Sequence, residues 1–105
     1  CTAIRVPTPN VSLVDFKFNK KKNITIENLN NKFQEYANSS LKDILGVDTD
    51  PKVSSDYNHD ARSSILDLSE TTTVSDNFGR VLTWYDNEWG FSNRMLETTA
   101  QVCNL

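Results

Sequence analysis

The chain combines short segments in which every second residue is apolar with two longer segments in which apolar residues follow helical spacing. Alternation puts successive side chains on opposite faces of a strand, whereas apolar residues three and four positions apart share one face of a helix. We therefore predict strands before and after one helix, and a second helix at the C-terminal end. This order indicates an α+β fold with a mixed, mostly antiparallel sheet covered by helices on one face.

Two strands are predicted ahead of the first helix. The first covers residues 2–6 and ends at Pro7, because proline cannot donate a hydrogen bond to a sheet and restricts the backbone before it. The second covers residues 11–18, whose alternation indicates that one of its two faces is apolar. The residues on that face are Val14, Phe16 and Phe18.

The first helix is predicted to begin after Thr25, whose hydroxyl suits the N-cap position, and to run to about Asn38. Ile24 and Leu29 stand at the two positions of a hydrophobic staple. A single apolar stripe of this kind normally packs on a sheet and is not a binding face. Its members are Ile26, Leu29, Phe33, Tyr36 and Ala37.

The second half of the chain is predicted to add short strands and the final helix. Residues 41–47 are expected to form a helical turn followed by a brief strand, and residues 76–79 a turn. Further strands are predicted over residues 53–56, 63–68, 71–75 and 80–85. The apolar stripe of the final helix consists of Phe91, Met95, Thr98, Val102 and Leu105.

Residues 84–94 hold both tryptophans and the densest group of aromatic and hydrogen-bonding side chains. Asp86 and Asn87 form a polar turn that can cap the final helix, and Gly90 lets a ligand or another backbone come close. An amide between aromatic rings, as at Asn87, suits a flat polar ligand. The alternative, which spacing alone favours, is that Asn87 only caps the helix and the rings only fill the core.

Composition limits the classes of function. With 105 residues, 37% hydrophobic residues and a formal net charge of −3, the chain is expected to be one soluble globular unit with no electrostatic basis for nucleic-acid binding. Its apolar runs are too short for a membrane span or the core of a signal peptide. We expect an intracellular, cytoplasmic protein, with an organelle as the alternative.

The remaining candidate groups point to no metal or anion site. Cys1 and Cys103 have no metal-ligand spacing, and two free thiols are expected, with a terminal disulfide as the alternative. The lysine run at residues 20–22 is interpreted as a solvated turn and not as a phosphate-binding patch.

Three runs carry a family resemblance. AIRVPTPNVS at residues 3–12, VSSDYNHD at residues 53–60 and WYDNEWGFSNRM at residues 84–95 resemble, in this order, the C-terminal catalytic part of phosphorylating glyceraldehyde-3-phosphate dehydrogenases. The related erythrose-4-phosphate dehydrogenases share these features. The resemblance implies that residues 1–105 are a partial catalytic domain, and that the family's nucleotide-binding domain is absent from them.

The resemblance also implies the chemistry. In this family a cysteine thiolate attacks the aldehyde, a histidine takes the proton, NAD accepts hydride, and inorganic phosphate releases the acyl group. Both catalytic residues precede the matched part, so we predict no catalytic residue here, and His59 with Cys1 or Cys103 is not expected to replace them. Without a glycine-rich phosphate turn, this chain alone is expected to bind no cofactor.

Three site residues follow from the resemblance. Arg5 matches the arginine that contacts the phosphate groups of the substrate and of inorganic phosphate, with a salt bridge to Asp15 or Asp56 as the alternative. Asn87 matches the asparagine that holds the nicotinamide carboxamide. Phe91 matches a position often occupied by tyrosine, so stacking near the nicotinamide is kept and a hydrogen bond is lost.

The predicted function is therefore a segment of an NAD-dependent phosphorylating dehydrogenase that acts on glyceraldehyde 3-phosphate in glycolysis. The alternatives are erythrose 4-phosphate as substrate, or a non-enzymatic remnant that serves as a structural subunit. We also expect a homo-oligomer or a larger protein assembly, formed through an apolar sheet face left open by the helices. The candidates for that face are Val14, Phe16 and Phe18, or the residues that alternate with them.

Overall fold

A computed structural model describes residues 1–75 and 77–104. Asp76 of the predicted turn and Leu105 of the predicted helical stripe lie outside the described residues. A short 3-10 helix, Ser54–Tyr57, lies between the third and fourth strands. The strands and α-helices, in chain order, are β1 Thr2–Ile4, β2 Ser12–Asn19, α1 Ile26–Ala37, β3 Leu45–Asp48, β4 Ser64–Val74, β5 Phe78–Tyr85 and α2 Trp89–Cys103.

The strands form one sheet in the order β1-β2-β5-β4-β3. The β1–β2, β2–β5 and β5–β4 pairs are antiparallel, and β3 lies parallel to β4. Parallel neighbours need a crossover, and the segment with the 3-10 helix supplies it here. The predicted α+β class with a mixed, mostly antiparallel sheet is confirmed.

The first helix forms as its sequence predicts. The Thr25 hydroxyl accepts a hydrogen bond from the Asn28 backbone N–H at 3.1 Å, so Thr25 is the N-cap. Ile24 and Leu29 are buried in one cluster, as a hydrophobic staple requires. This cluster joins α1 to the sheet and also contains Leu66, Leu68 and Val81.

The sheet face under α1 is the one that carries the predicted apolar residues. Phe18 packs against the α1 cluster, and side chains two positions apart share a face, so Val14 and Phe16 lie on the same side. On the opposite face Asp15 accepts hydrogen bonds from Lys17 Nζ at 2.7 Å and Arg80 Nε at 3.0 Å. The face opposite α1 is therefore charged at this point, whereas Phe16, one of the apolar candidates, lies on the α1 side and is 45% exposed.

The strand predicted over residues 53–56 is wrong. The Asp56 carboxylate accepts from the Val53 backbone N–H at 2.8 Å, and the Asp56 N–H donates to the Val53 carbonyl at 3.0 Å. This reciprocal pair closes the 3-10 turn locally, because an Asp side chain offers the backbone an alternative to a sheet ladder. Tyr57 at its end is only 2% exposed and stacks on Trp84, with ring centroids 5.4 Å apart. Burial raises the pKa of Tyr57 to about 12.

Two of the predicted strands are a single one. The strands predicted over residues 63–68 and 71–75 form, apart from their outer residues Ser63 and Ser75, the continuous strand β4, whose pairing with β5 is irregular between Asp67 and Thr72. There the Asp67 carboxylate accepts from the Ser69 backbone N–H at 3.1 Å and the Ser69 hydroxyl at 2.6 Å. The polar residues therefore accommodate a bulge and do not end the strand.

The final helix is present, but its apolar stripe is not buried. Phe91, Met95 and Val102 are all exposed, so α1 is the helix that covers the sheet. Helix α2 contacts the rest of the chain near its start, where Gly90 approaches the Arg62 backbone. Neither helix in the described part of the chain has the length and apolar character that crossing a membrane requires.

Candidate functional site

Strand pairing brings the two ends of the chain together at one edge of the fold. The last residue of β1, Ile4, pairs with Leu13, and the first residue of β2, Ser12, pairs with the last residue of β5, Tyr85. Segments that leave β1 and β5 therefore emerge side by side. They form a pocket of about 250 Å³ lined by Arg5, Val6, Thr8, Pro9, Asn10, Val11, Ser12 and Asn87.

Arg5 is held from within this pocket. Its Nε donates to the Ser12 hydroxyl at 3.2 Å, and Ser12 is only 2% exposed at the start of β2. In the described part of the chain no carboxylate forms an ion pair with Arg5, so the alternative, a salt bridge to Asp15 or Asp56, is not observed. The guanidinium charge is thus positioned by a neutral partner and remains able to bind an anion.

Asp86 is the organising residue beside the pocket. Its carboxylate is 1% exposed and accepts from Asn10 Nδ2 at 2.7 Å, the His59 backbone N–H at 2.9 Å and the Trp89 backbone N–H at 2.9 Å. Burial acts to raise its pKa, but the Trp89, His59 and Asn10 donors outweigh burial and lower the pKa below its usual value. Asp86, which directly follows β5, therefore accepts the backbone N–H of the first residue of α2.

Asn87 does not spend its side-chain oxygen on capping. Its Oδ1 is buried and has no hydrogen-bond partner among the described residues. A buried acceptor left unpaired costs about 1–3 kcal/mol, so Asn87 Oδ1, like the Ser63 hydroxyl and Arg94 Nε in the same region, is open to a partner from outside the described residues. The alternative in which Asn87 serves only as the helix cap does not fit this geometry.

Phe91 belongs to a neighbouring pocket of about 310 Å³, which also contains Asn87. Its side chain is 64% exposed and is one of the least covered rings in the described residues. Asn87 thus lies between the pocket of Arg5 and the pocket of Phe91. The second pocket is lined by Ser63, Tyr85, Asp86, Asn87, Gly90, Phe91 and Arg94.

His59 and the two cysteines are not brought together as a catalytic group. His59 has φ 61° and tilts against Trp89, with ring centroids 5.2 Å apart, so it is a turn residue as predicted. Cys1 and Cys103 are both exposed, and neither forms a disulfide in the structure.

Sequence reasoning missed Asn10 and Val11. Val11 is buried yet has φ 71°, a left-handed conformation that is strained for a β-branched residue. Asn10, directly before it, contacts Asp86 from the far end of the chain. Their place in the run at residues 3–12 was a signal of importance, but nothing in the sequence indicated the contact.

With this geometry in place, comparison with known proteins identifies the family. Residues 1–87 match the family model described as glyceraldehyde 3-phosphate dehydrogenase, C-terminal domain, and the chain belongs to this family. Glyceraldehyde-3-phosphate dehydrogenases of Cereibacter sphaeroides and Xanthobacter flavus are each 47% identical to it, over 98% and 99% of the chain. The enzyme of Priestia megaterium is 47% identical over 95% of the chain.

The match covers only part of these relatives. The chain spans 31% of the length of the Cereibacter and Xanthobacter proteins and 30% of the Priestia protein. The activity of the whole enzyme is therefore a matter for proposal and experiment.

Proposed function

We propose that this chain is the C-terminal catalytic-domain segment of an NAD-dependent phosphorylating dehydrogenase that acts on glyceraldehyde 3-phosphate in glycolysis. The observation that carries this proposal is that Arg5 and Asn87 line the same pocket. Relatives named glyceraldehyde-3-phosphate dehydrogenase, at 47% identity over nearly the whole chain, support it.

Arg5 is proposed to bind the phosphate group of the aldehyde or inorganic phosphate. A guanidinium presents several donors in one plane and matches the geometry of a phosphate better than an ammonium does. Its Nε bond to Ser12 fixes the direction in which the rest of the guanidinium faces. Such a group orients the anion and leaves the bond-making steps to other residues.

Asn87 and Phe91 are proposed to hold the nicotinamide end of NAD, which, when bound, supplies the hydride acceptor. The unpaired Asn87 Oδ1 fits this role, because it can accept the N–H of a carboxamide. Phe91, exposed in the adjoining pocket, offers a ring for stacking. Together these two residues would decide which face of the nicotinamide meets the substrate.

We propose that residues 1–105 are one part of a catalytic domain, and that the catalytic cysteine, its base and the nucleotide-binding domain lie in other parts of the complete protein. The proposal includes a cytoplasmic location and a homo-oligomer or larger assembly formed through the sheet. The sheet face that carries Asp15 and Arg80 is the one opposite α1, and among the described residues the 3-10 helix reaches this face through Tyr57, which stacks on Trp84. A charged, ordered face of this kind suits a polar protein interface.

The test measures NADH formation by the complete protein that contains this chain. We expect phosphate-dependent oxidation of glyceraldehyde 3-phosphate, and a rise of roughly 10-fold or more in the KM for phosphate on Arg5→Ala, since a charge-assisted contact is lost. Lys21→Ala, which removes the same charge from an exposed turn, is the matched control.

Two outcomes would replace this proposal. A higher kcat/KM on erythrose 4-phosphate would assign the chain to the alternative substrate. Failure of the folded, complete protein to oxidise either aldehyde would favour a structural subunit without activity.

A further inference from the structure

We infer that Asn10 and Asp86 form a positioning pair that holds the Arg5 side and the Asn87 side of the shared pocket at a set distance. The inference rests on the proposed function, because it concerns how the same pocket is assembled. In this inference neither Asn10 nor Asp86 contacts phosphate or nicotinamide. Both act through the residues beside them.

The first argument is connectivity. Asn10 Nδ2 donates to Asp86 Oδ2 at 2.7 Å and to Asn58 Oδ1 at 3.0 Å, and the same Asp86 oxygen accepts from the His59 backbone N–H. Asp86 Oδ1 accepts from the Trp89 N–H. One carboxylate therefore ties the proline-containing loop, the turn after the 3-10 helix and the start of α2 to one point.

The second argument is that the Arg5 loop needs an anchor. The loop leaves β1, an edge strand of three residues, and passes through Val11 at φ 71° before it joins β2. A residue in such a conformation costs about 1–3 kcal/mol and persists only where its surroundings hold it. The Asn10–Asp86 hydrogen bond is directly adjacent to the strained residue and restrains it.

The third argument concerns Asn87. It lies inside the turn closed by the hydrogen bond that the Trp89 backbone N–H donates to Asp86 Oδ1, so the orientation of the Asp86 side chain and the backbone path at Asn87 are linked. Because Asp86 is adjacent in the chain to Asn87 and bonded to the Arg5 loop, one side chain controls both walls of the pocket.

The negative charge of the Asp86 carboxylate contributes to the positioning pair. No cation forms an ion pair with Asp86 among the residues described, so its charge is balanced by hydrogen-bond donors and by the N-terminus of α2. Every hydrogen-bond partner of the Asp86 carboxylate among the described residues is a donor. An amide of the same shape at position 86 would turn its NH₂ group toward at least one of these donors.

This chemistry defines an exchange experiment on the complete protein. Asp86→Asn and Asn10→Asp are each made alone and then together. In the double variant the new amide at position 86 donates to the new carboxylate at position 10, which restores the link with donor and acceptor reversed. The His59 N–H remains without its acceptor, and Asn58 Oδ1 loses the donor that Asn10 supplied, so recovery is expected to be partial.

Two readouts report the two walls separately. Calorimetric titration with NAD reports the Asn87 wall, and titration with inorganic phosphate reports the Arg5 wall. We expect Asp86→Asn to weaken both by roughly 10-fold, and the double variant to regain about threefold in both, since a hydrogen bond to a charged group is lost and partly restored. Asn10→Ala, which leaves both backbone donors to Asp86 in place, is the milder variant if Asp86→Asn fails to fold.

Asn58→Ala is the matched control, because it removes the other partner of Asn10 and leaves the bond to Asp86 intact. It is expected to change either affinity less than twofold. If Asp86→Asn and Asn10→Ala lower thermal stability but leave both affinities unchanged, or if only one wall responds, the pair is a structural cap and the inference is overturned. In that case wild-type activity would still support the proposed function, whereas a wild-type protein that binds neither ligand would remove both.

Discussion

Gly90 of α2 lies directly against the backbone of Arg62, and a Cβ atom at Gly90 would stand 3.0 Å from the Arg62 carbonyl oxygen. That atom is backbone and cannot swing away as a side chain can. The contact sets the distance between the start of α2 and the segment that leads into β4. It also lies on the pocket that contains Asn87 and Phe91.

Replacing Gly90 by alanine should destabilise the fold although alanine is the better helix former. Helix propensity favours alanine by about 1 kcal/mol, and forcing a methyl group against the rigid backbone costs about 1–3 kcal/mol. We expect a net loss of about 1 kcal/mol in the free energy of unfolding, measured by urea denaturation. Ser92→Ala on an exposed position of the same helix is the control, and a stabilising Gly90→Ala would contradict the packing argument.

Leu29 should be a principal stabilising residue of the α1 face. It is 7% exposed and packs in the cluster that joins α1 to β4 and β5. Leu29→Ala removes buried apolar groups and leaves a cavity, so we expect a loss of about 3 kcal/mol in the free energy of unfolding. Leu96 is 71% exposed, and Leu96→Ala is expected to change stability by less than about 0.5 kcal/mol. Equal effects of the two changes would show that α1 is not docked as described.

The free energy of unfolding should fall in acid, because protonation of Asp60 breaks its ion pair with Arg62. The Arg62 guanidinium donates to the Asp60 carboxylate at 2.5 Å and 2.9 Å and lowers the pKa of Asp60 below its usual 3.8. A lowered folded-state pKa means that the unfolded chain binds the proton more tightly, so this contribution is complete above 3.8 and is lost as the pH falls below it. Unfolding measured between pH 5 and about pH 2 should be less steeply pH-dependent in Asp60→Asn. Asp50→Asn, in an exposed turn, controls for the change in net charge.

Residues 1–105 alone should bind NAD negligibly and form no NADH. Asn87 offers one carboxamide contact, worth about 1 kcal/mol net, which does not offset the cost of immobilising a dinucleotide. Calorimetry on the isolated chain is therefore expected to give no measurable heat of NAD binding. Micromolar affinity would refute this, as would phosphate-dependent activity abolished by Cys1→Ser or Cys103→Ser.

Association is expected through the sheet, at the face that carries Asp15 and Arg80, and not through α2. Sedimentation of the chain at micromolar concentration should show an oligomer that Lys17→Glu weakens, because this change puts two like charges beside each other at Asp15. Leu96→Glu on the exposed stripe of α2 is the comparison variant. A monomer whose mass does not change with dilution would sink the prediction, and a response to Leu96→Glu alone would move the interface to α2.

Several elements were determined by the sequence itself, because the forces that form them act between residues close in the chain. Thr25 caps α1 through a residue three positions away, and the staple of Ile24 and Leu29 is also local. The alternation in β2 identified its apolar face, and the three motif runs identified the family, within which Arg5 and Asn87 are proposed as site residues. The periodicity of apolar residues and the order of motifs are properties of the sequence and need no knowledge of tertiary contacts.

The tertiary structure decided what depends on partners distant in sequence. Only the fold places Asn10 against Asp86, keeps Val11 in its strained conformation and leaves the Asn87 oxygen unpaired. Periodicity also predicted that the stripe of α2 exists, yet it carries no information on what covers that stripe. Two strand predictions failed although the contacts concerned are local: Asp56 accepts from Val53 in the 3-10 turn, and Asp67 accepts from Ser69 within the continuous strand β4. A side-chain acceptor competes with a ladder hydrogen bond at nearly equal energy, so the outcome depends on which neighbouring strand is within reach.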